Sequence, residues 1–198
     1  MFLGFNKSET KFVLAILLII MATTLLNLRI SYRKSRDAQR KNDVRAIHDA
    51  LQAYNNEFGS YPISTSDGLI LACDPIITET TIIEYKPCQW YEDGLFNPFK
   101  KDAEPYLARI LGDPRQGQGR SYFYISTGKH FQILASLESE KEAEFSSSIK
   151  ARNLPCGKYI CNFGRSDSEK TPLDKSLLTY ENELRILEEE RLKIIYGK

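Results

Sequence analysis

The stretch FVLAILLIIMATTLLNL, Phe12 to Leu28, carries no charge and is bracketed by Lys11 and Arg29. At about 17 residues it meets the lower limit for crossing the hydrocarbon core of a bilayer. A buried core helix is usually shorter or carries a polar face, so the run reads as a single membrane span. It continues into Asn27-Leu28-Arg29-Ile30-Ser31-Tyr32-Arg33 without a small-x-small cleavage site, which sets it apart from a removable secretory signal.

Beyond the span no Pro or Gly occurs until Gly59. Val44, Ile47, Leu51, Tyr54 and Phe58 recur at i, i+3, i+7, i+10 and i+14, one stripe down a helix, with Arg45, Asp49, Gln52, Asn56 and Glu57 on its other faces. A membrane helix therefore becomes an amphipathic helix that lays one side on a globular domain. From Phe12 to Phe58 it extends about 70 Å at 1.5 Å per residue. A coiled-coil dimer is the competing reading of the stripe, but it holds too few heptads. Gly59-Ser60-Tyr61-Pro62 ends the helix, with Gly as the left-handed cap and Pro shortly after.

The remaining composition bounds the function. In 198 residues there are 27 Lys+Arg, 26 Asp+Glu, 42% hydrophobic residues, four Cys and two His. A net charge of +1 excludes a bulk polybasic nucleic-acid binder, and no nucleic-acid partner is expected. The apolar fraction excludes global disorder. The mean hydropathy of −0.37 conceals the concentration of apolar residues near the N-terminus.

Charge and cysteines disagree on topology. Arg29, Arg33, Lys34, Arg36, Arg40 and Lys41 follow the span, and the positive-inside tendency would keep them cytoplasmic. An even count of four cysteines suits an oxidising compartment and two disulfides. A four-thiolate zinc site would have the spacings Cys73-x14-Cys88 and Cys156-x4-Cys161, without a tight pair at one end. Four cysteines allow three connectivities, and sequence proximity favours Cys73–Cys88 and Cys156–Cys161.

Strand signals come late. Ser121–Ile125 and Phe131–Leu137 read as a hairpin around Ser126-Thr127-Gly128-Lys129, and Thr78–Ile83 reads as a strand or edge segment. Packed on the Val44–Phe58 stripe, the hairpin makes an α+β fold. Thr171-Pro172-Leu173-Asp174 reads as a helix start, with Leu177, Tyr180, Leu184 and Leu187 as a stripe running to about Tyr196. That stripe has either the rest of this chain or another subunit to cover. Glu138, Glu140, Glu142 and Glu144 alternate after a strand and read as solvated.

No Gly-rich phosphate loop, nucleophile elbow or HExxH occurs. His48 lies mid-helix, His130 opens a strand, and both read as structural. An enzyme is not expected, nor any cofactor or metal.

Ser35-Arg36-Asp37-Ala38-Gln39-Arg40-Lys41-Asn42-Asp43-Val44-Arg45-Ala46-Ile47, then Ala50–Tyr54 and Gly59-Ser60-Tyr61-Pro62, resembles the second half of the first helix of type IV pilins, most of all the G-type major pseudopilin of type II secretion. The family's signature is Gly-Phe-Thr-Leu-Ile-Glu, cut after Gly. Here Gly4-Phe5-Asn6-Lys7-Ser8-Glu9 stands in its place, with a polar triplet for an apolar one. Phe5 lies 32 residues before Asp37, similar to the family spacing, and Leu26 stands where the family has a helix-kinking Pro. Gly112-Asp113-Pro114 before Tyr122-x-Tyr124 also resembles the family's Asp-Pro turn and Tyr-rich hairpin.

The resemblance implies a pilin-like fold, a long N-terminal membrane-spanning and amphipathic helix on a small antiparallel sheet, to which the C-terminal helix read above adds an extension that departs from a minimal pseudopilin. It divides the chain into a leader (1–4), the transmembrane half of the helix (5–28), its amphipathic half (29–60), a β domain (61–150) and a Cys-containing tail (151–198). It implies processing by a prepilin peptidase between Gly4 and Phe5, methylation of the new terminus, and assembly through Glu9. The implied partners are copies of itself, other pilin-like subunits and the membrane platform of the assembly machine. The implied location is the bacterial cytoplasmic membrane with the domain outside, then an extracytoplasmic filament. Some family members hold calcium in a late loop, which draws attention to Asp167, Glu169 and Asp174, although these show no ligand pattern. The competing function is a single-pass anchored extracytoplasmic binding module that never polymerises.

Overall fold

The computed structural model describes residues 7–78, 81–100 and 103–197. One helix, α1 (Lys7–Phe58), runs unbroken for 52 residues. Nothing in that span breaks the hydrogen-bond ladder, and the two threonines inside the apolar half bond back to their own helix. Thr23 Oγ1 donates to the Ile19 and Ile20 carbonyls, and Thr24 Oγ1 to Ile20. Gly59 closes α1 with φ +72°, its N–H on the Asn55 carbonyl at 2.7 Å. That left-handed conformation is cheap only for glycine.

Two hairpins and a three-stranded sheet follow. Strands β1 (Leu71–Thr78) and β2 (Thr81–Pro87) form an irregular antiparallel hairpin, with Thr78 paired to Thr81 and Ile77 to Ile82, so of the β-branched run the described residues lie in the strands. The central sheet has the order β3-β4-β7 and is antiparallel throughout, with β3 at Phe123–Ser126, β4 at Phe131–Ala135 and β7 at Phe163–Ser166. Between β4 and β7 come the short helix α2 (Ser147–Ala151) and a miniature hairpin of β5 (Pro155–Cys156) and β6 (Tyr159–Ile160). The last element is α3 (Leu177–Tyr196). This is an α+β arrangement, and residue 150 is not a packing boundary, because β7 pairs with β4.

The sheet is buried on both faces, which is why every residue of β4 is inaccessible. Phe131, Ile133 and Ala135 point at α1 and join Val44, Ile47, Ala50, Leu51 and Tyr54. Leu134 and Phe123 point the other way, to Ile149 and the Cys156–Cys161 pair. The tyrosines of β3's approach bury their rings and keep their hydroxyls bonded: Tyr122 donates to Asp43 at 2.8 Å and Tyr124 to the Pro62 carbonyl at 2.6 Å. Leu51 is fully buried at the centre of the helix–sheet contact. Leu51→Ala should therefore cost about 2–5 kcal/mol in denaturant unfolding, against the ±0.5 kcal/mol typical of a surface site.

Two expectations are corrected. The C-terminal helix starts at Leu177, capped by the Ser176 side chain on the Thr179 N–H, and not at Pro172. The reason is Gln132 on β4. It is fully buried and donates to the Pro172 carbonyl at 2.5 Å and the Lys175 carbonyl at 3.0 Å, so residues 172–175 are spent on the sheet. Thr171, expected as the cap, is buried against Ser168 and His130. Of the glutamates after β4, expected to be solvated, Glu140 and Glu144 are exposed, whereas Glu138 is largely buried.

Candidate functional site

Three features stand out: an exposed apolar rod, a buried charged joint where the rod meets the domain, and an exposed helix at the other end. The rod is the first half of α1. It is the one helix among the described residues long and apolar enough to cross a membrane, and its most apolar window is entirely unburied. Phe12, Leu17, Ile19 and Met21 are more than half exposed. Isolated apolar side chains are ordinary on a surface, but a continuous helical cylinder of them requires an apolar surround. Glu9 is exposed in the first turn of this rod, where a carboxylate suits the positive end of the helix dipole. Gly4 and Phe5 lie outside the described residues.

The joint begins where the buried stripe of α1 is extended backwards. Stepping from Val44 by helical spacing gives Arg40 and Asp37, and both are fully buried. Arg40 makes a two-pronged contact with Asp113, Nε to Oδ2 at 2.6 Å and Nη2 to Oδ1 at 3.0 Å. Its Nη1 donates to Asp37 at 2.7 Å and to Glu138 at 3.0 Å. Asp37 in turn accepts from the backbone N–H groups of Glu138 and Ser139 at 2.8 and 3.1 Å. Arg36 forks onto Glu138 at 2.8 and 2.6 Å, and Arg115 reaches it at 3.3 Å. One guanidinium thus joins α1, the Asp113-Pro114 turn and the exit of β4. Paired forks of this kind are what arginine supplies and lysine does not.

The glutamate row is therefore a paired edge. Beyond Glu138, Lys41 binds Glu142 at 3.0 Å and Glu144 at 2.8 Å, and Lys150 binds Glu140 at 2.6 Å. Burial alone would raise the Glu138 carboxyl, but the hydrogen bonds and charges of Arg36 and Arg40 outweigh it and hold it down at about 2. Since the folded value lies below the ordinary carboxylate value of about 4.3, this stabilisation is full above that pH and is lost as pH falls toward 2. The urea midpoint should drop between about pH 4.5 and 2, and Glu138→Gln should remove part of that drop.

The four cysteines are buried, one pair in each of the two apolar clusters. Cys73 pairs with Cys88 across the base of the β1–β2 hairpin, and Cys156 with Cys161 across β5–β6, each with Cα atoms 5.1 Å apart. His48 Nδ1 lies 2.9 Å from Asp49 and its ring packs on Phe131. His130 Nδ1 lies 3.0 Å from Asp167 and 3.3 Å from Thr171 Oγ1, and its ring abuts Tyr180. These contacts tie the start of α3 to the sheet. Among the described residues no group of three or more His, Cys, Asp or Glu side chains is placed to hold a metal ion. Asp167 is engaged by His130 and the Phe131 N–H. A surface cleft of about 690 Å³ opens along β7, lined by His48, Ser146, Arg165, Asp167 and Glu169 among others.

At the far end, only the first turn of α3 docks. Leu177 is buried and Tyr180 half-buried, whereas Leu184, Leu187 and Ile194 are 41%, 60% and 84% exposed. The stripe read from the sequence is therefore covered by this chain at its beginning alone.

No family model, curated protein or solved structure matches the chain. The buried joint is not legible from Arg36, Arg40 and Lys41 as charges beside a membrane or as part of the pilin-like segment, since neither gives them a buried partner. The signal that would have found it is the periodicity of the stripe continued two steps toward the N-terminus, onto Arg40 and Asp37.

Proposed function

We propose that this chain is a pilin-like structural subunit of a type II secretion or type IV pilus filament. The observation that carries the reading is α1: a single helix of 52 residues, bare and apolar in its first half and locked to an α+β domain in its second. Such a part can stand in a bilayer as a monomer and exchange lipid for like helices on assembly, without refolding. The same bare helix satisfies both surroundings because each is apolar and neither asks for backbone hydrogen bonds.

A prepilin peptidase cuts after Gly4 and exposes the amino group of Phe5, which is then methylated. Glu9 neutralises that amino terminus on a neighbouring subunit, since an ammonium group in an apolar bundle costs several kcal/mol unless an anion meets it. The membrane platform and other pilin-like subunits are the remaining partners. The joint at Arg40 serves this role mechanically, because force passed along α1 reaches the domain through four buried charged side chains as well as through the apolar stripe.

Mass spectrometry of the native chain tests the reading. The mature protein should begin at Phe5, and Gly4→Asp should leave the chain uncut. A native chain intact from Met1 would assign it instead to an anchored binding module.

A further inference from the structure

We propose that α3 is a docking arm for a second copy of this chain, seated on the basic face of that copy's α1 at Ile30, Arg33 and Lys34. The proposal rests on the filament reading, because it needs neighbours stacked along one axis.

The arm has a defined seam. Leu184, Leu187 and Ile194 continue the line of Leu177 and Tyr180 down one face of α3 and are exposed, with Arg191 on the same line between Leu187 and Ile194. At helical spacing, Glu181 and Glu188 border this seam on one side, and Glu183 and Glu190 on the other. Glu181 is bonded to Thr127 and Glu183 to Lys175, but Glu188 and Glu190 make no ion pair among the described residues. Acidic borders on both sides disfavour pairing of α3 with another α3, since like charges would face each other. They favour an apolar strip with basic borders.

One exposed isoleucine with basic neighbours stands on α1 just below the domain. Ile30 is 46% exposed, and Arg33 and Lys34 stand one turn on from it. By helical spacing this is the face that carries Asp37 and Arg40, so it continues the docked side of α1 past the domain's lower edge. Unlike Arg36, Arg40 and Lys41, the residues Arg33 and Lys34 have no acidic partner among the described residues. Arg33 Nε is shielded from an incoming group, so a neighbour's carboxylate would meet the guanidinium at its terminal nitrogens.

The two surfaces stand at opposite ends of the domain. α3 springs from the β3–β4 turn, through Tyr180 on His130 and Glu181 on Thr127. That turn is held to Tyr61, just past the end of α1, by the Tyr61 N–H on the Gly128 carbonyl. Lys34 and Ile30 lie about 36–42 Å back along the helix from Phe58. An arm at one end and its seat at the other make a heterologous contact, which propagates along an axis and does not close into a dimer.

The test is crosslinking in filaments sheared from cells making two tagged full-length chains, one with Leu187→Cys and the other with Ile30→Cys. The native cysteines are paired and will not react with a bismaleimide. A product carrying both tags is expected. Glu188→Lys with Glu190→Lys should lower its yield about tenfold, and Arg33→Glu with Lys34→Glu in the other chain should restore it. Absence of the product, or a yield indifferent to charge reversal, overturns the proposal. So does a Leu187→Cys product with one tag only, which would give α3 a different protein as its occupant. Filaments recovered without the crosslink overturn the docking and leave the filament reading standing. A chain intact from Met1 that forms no filament overturns the filament reading.

Discussion

Replacing Arg40 with methionine is expected to destabilise the domain by about 3–5 kcal/mol, the largest effect foreseen for any single side chain outside the membrane segment. Arg40 is fully buried and is shared by Asp37, Asp113 and Glu138. Glu138 would keep Arg36 and Arg115, and Asp37 would keep its two backbone donors. Asp113 would lose its guanidinium and retain only the Arg115 N–H, at 2.8 Å, and the Gln116 N–H bonded to its carbonyl. An uncompensated buried carboxylate is what makes breaking such a network costly, even where replacing it whole with apolar groups is nearly neutral. Arg40→Lys should recover only part of the loss, because an ammonium cannot fork onto Asp113. The single tryptophan, Trp90, is buried edge-on against Tyr122 and reports the unfolding of the full chain in detergent by fluorescence. A loss below about 1 kcal/mol, the scale of an exposed ion pair, would show the joint to be solvated.

Glu9→Ala should leave the subunit inserted in the membrane and sharply reduce or abolish its recovery in filaments. Insertion depends on the apolar run Phe12–Leu28, which the substitution leaves intact. On the proposed filament reading, assembly would place the freed amino terminus of one subunit among apolar helices. A carboxylate one helical turn along a staggered neighbour would then be the group that neutralises it. Membrane fractionation separates the two stages: equal chain in the membrane pellet with little or none in sheared filaments is the expected result. Equal amounts in both would remove Glu9 from assembly. Glu9→Asp should restore part of the yield, since it keeps the charge with a shorter reach.

What could be read in the chain was what neighbours in sequence decide. An uncharged run bracketed by Lys11 and Arg29 is a property of composition, and the 3.6-residue recurrence of Val44, Ile47, Leu51 and Tyr54 is a property of one helix. Gly59 as a helix stop, the β3–β4 hairpin around Gly128, and a proximity-based cysteine pairing each involve partners a short loop apart. The tertiary structure decided what depends on groups far apart in the chain. Arg40 became a buried joint only because Asp113 and Glu138 arrive from 73 and 98 positions away. β7 became part of the central sheet by pairing with β4, and Gln132, by taking the carbonyls of Pro172 and Lys175, moved the start of α3 to Leu177. A charged residue is read from sequence as solvated because burial without partners is prohibitive, and only folding reveals the partners. The exposure of α3 beyond its first turn was settled in the same way, since an apolar stripe announces that a surface is needed but not which molecule provides it.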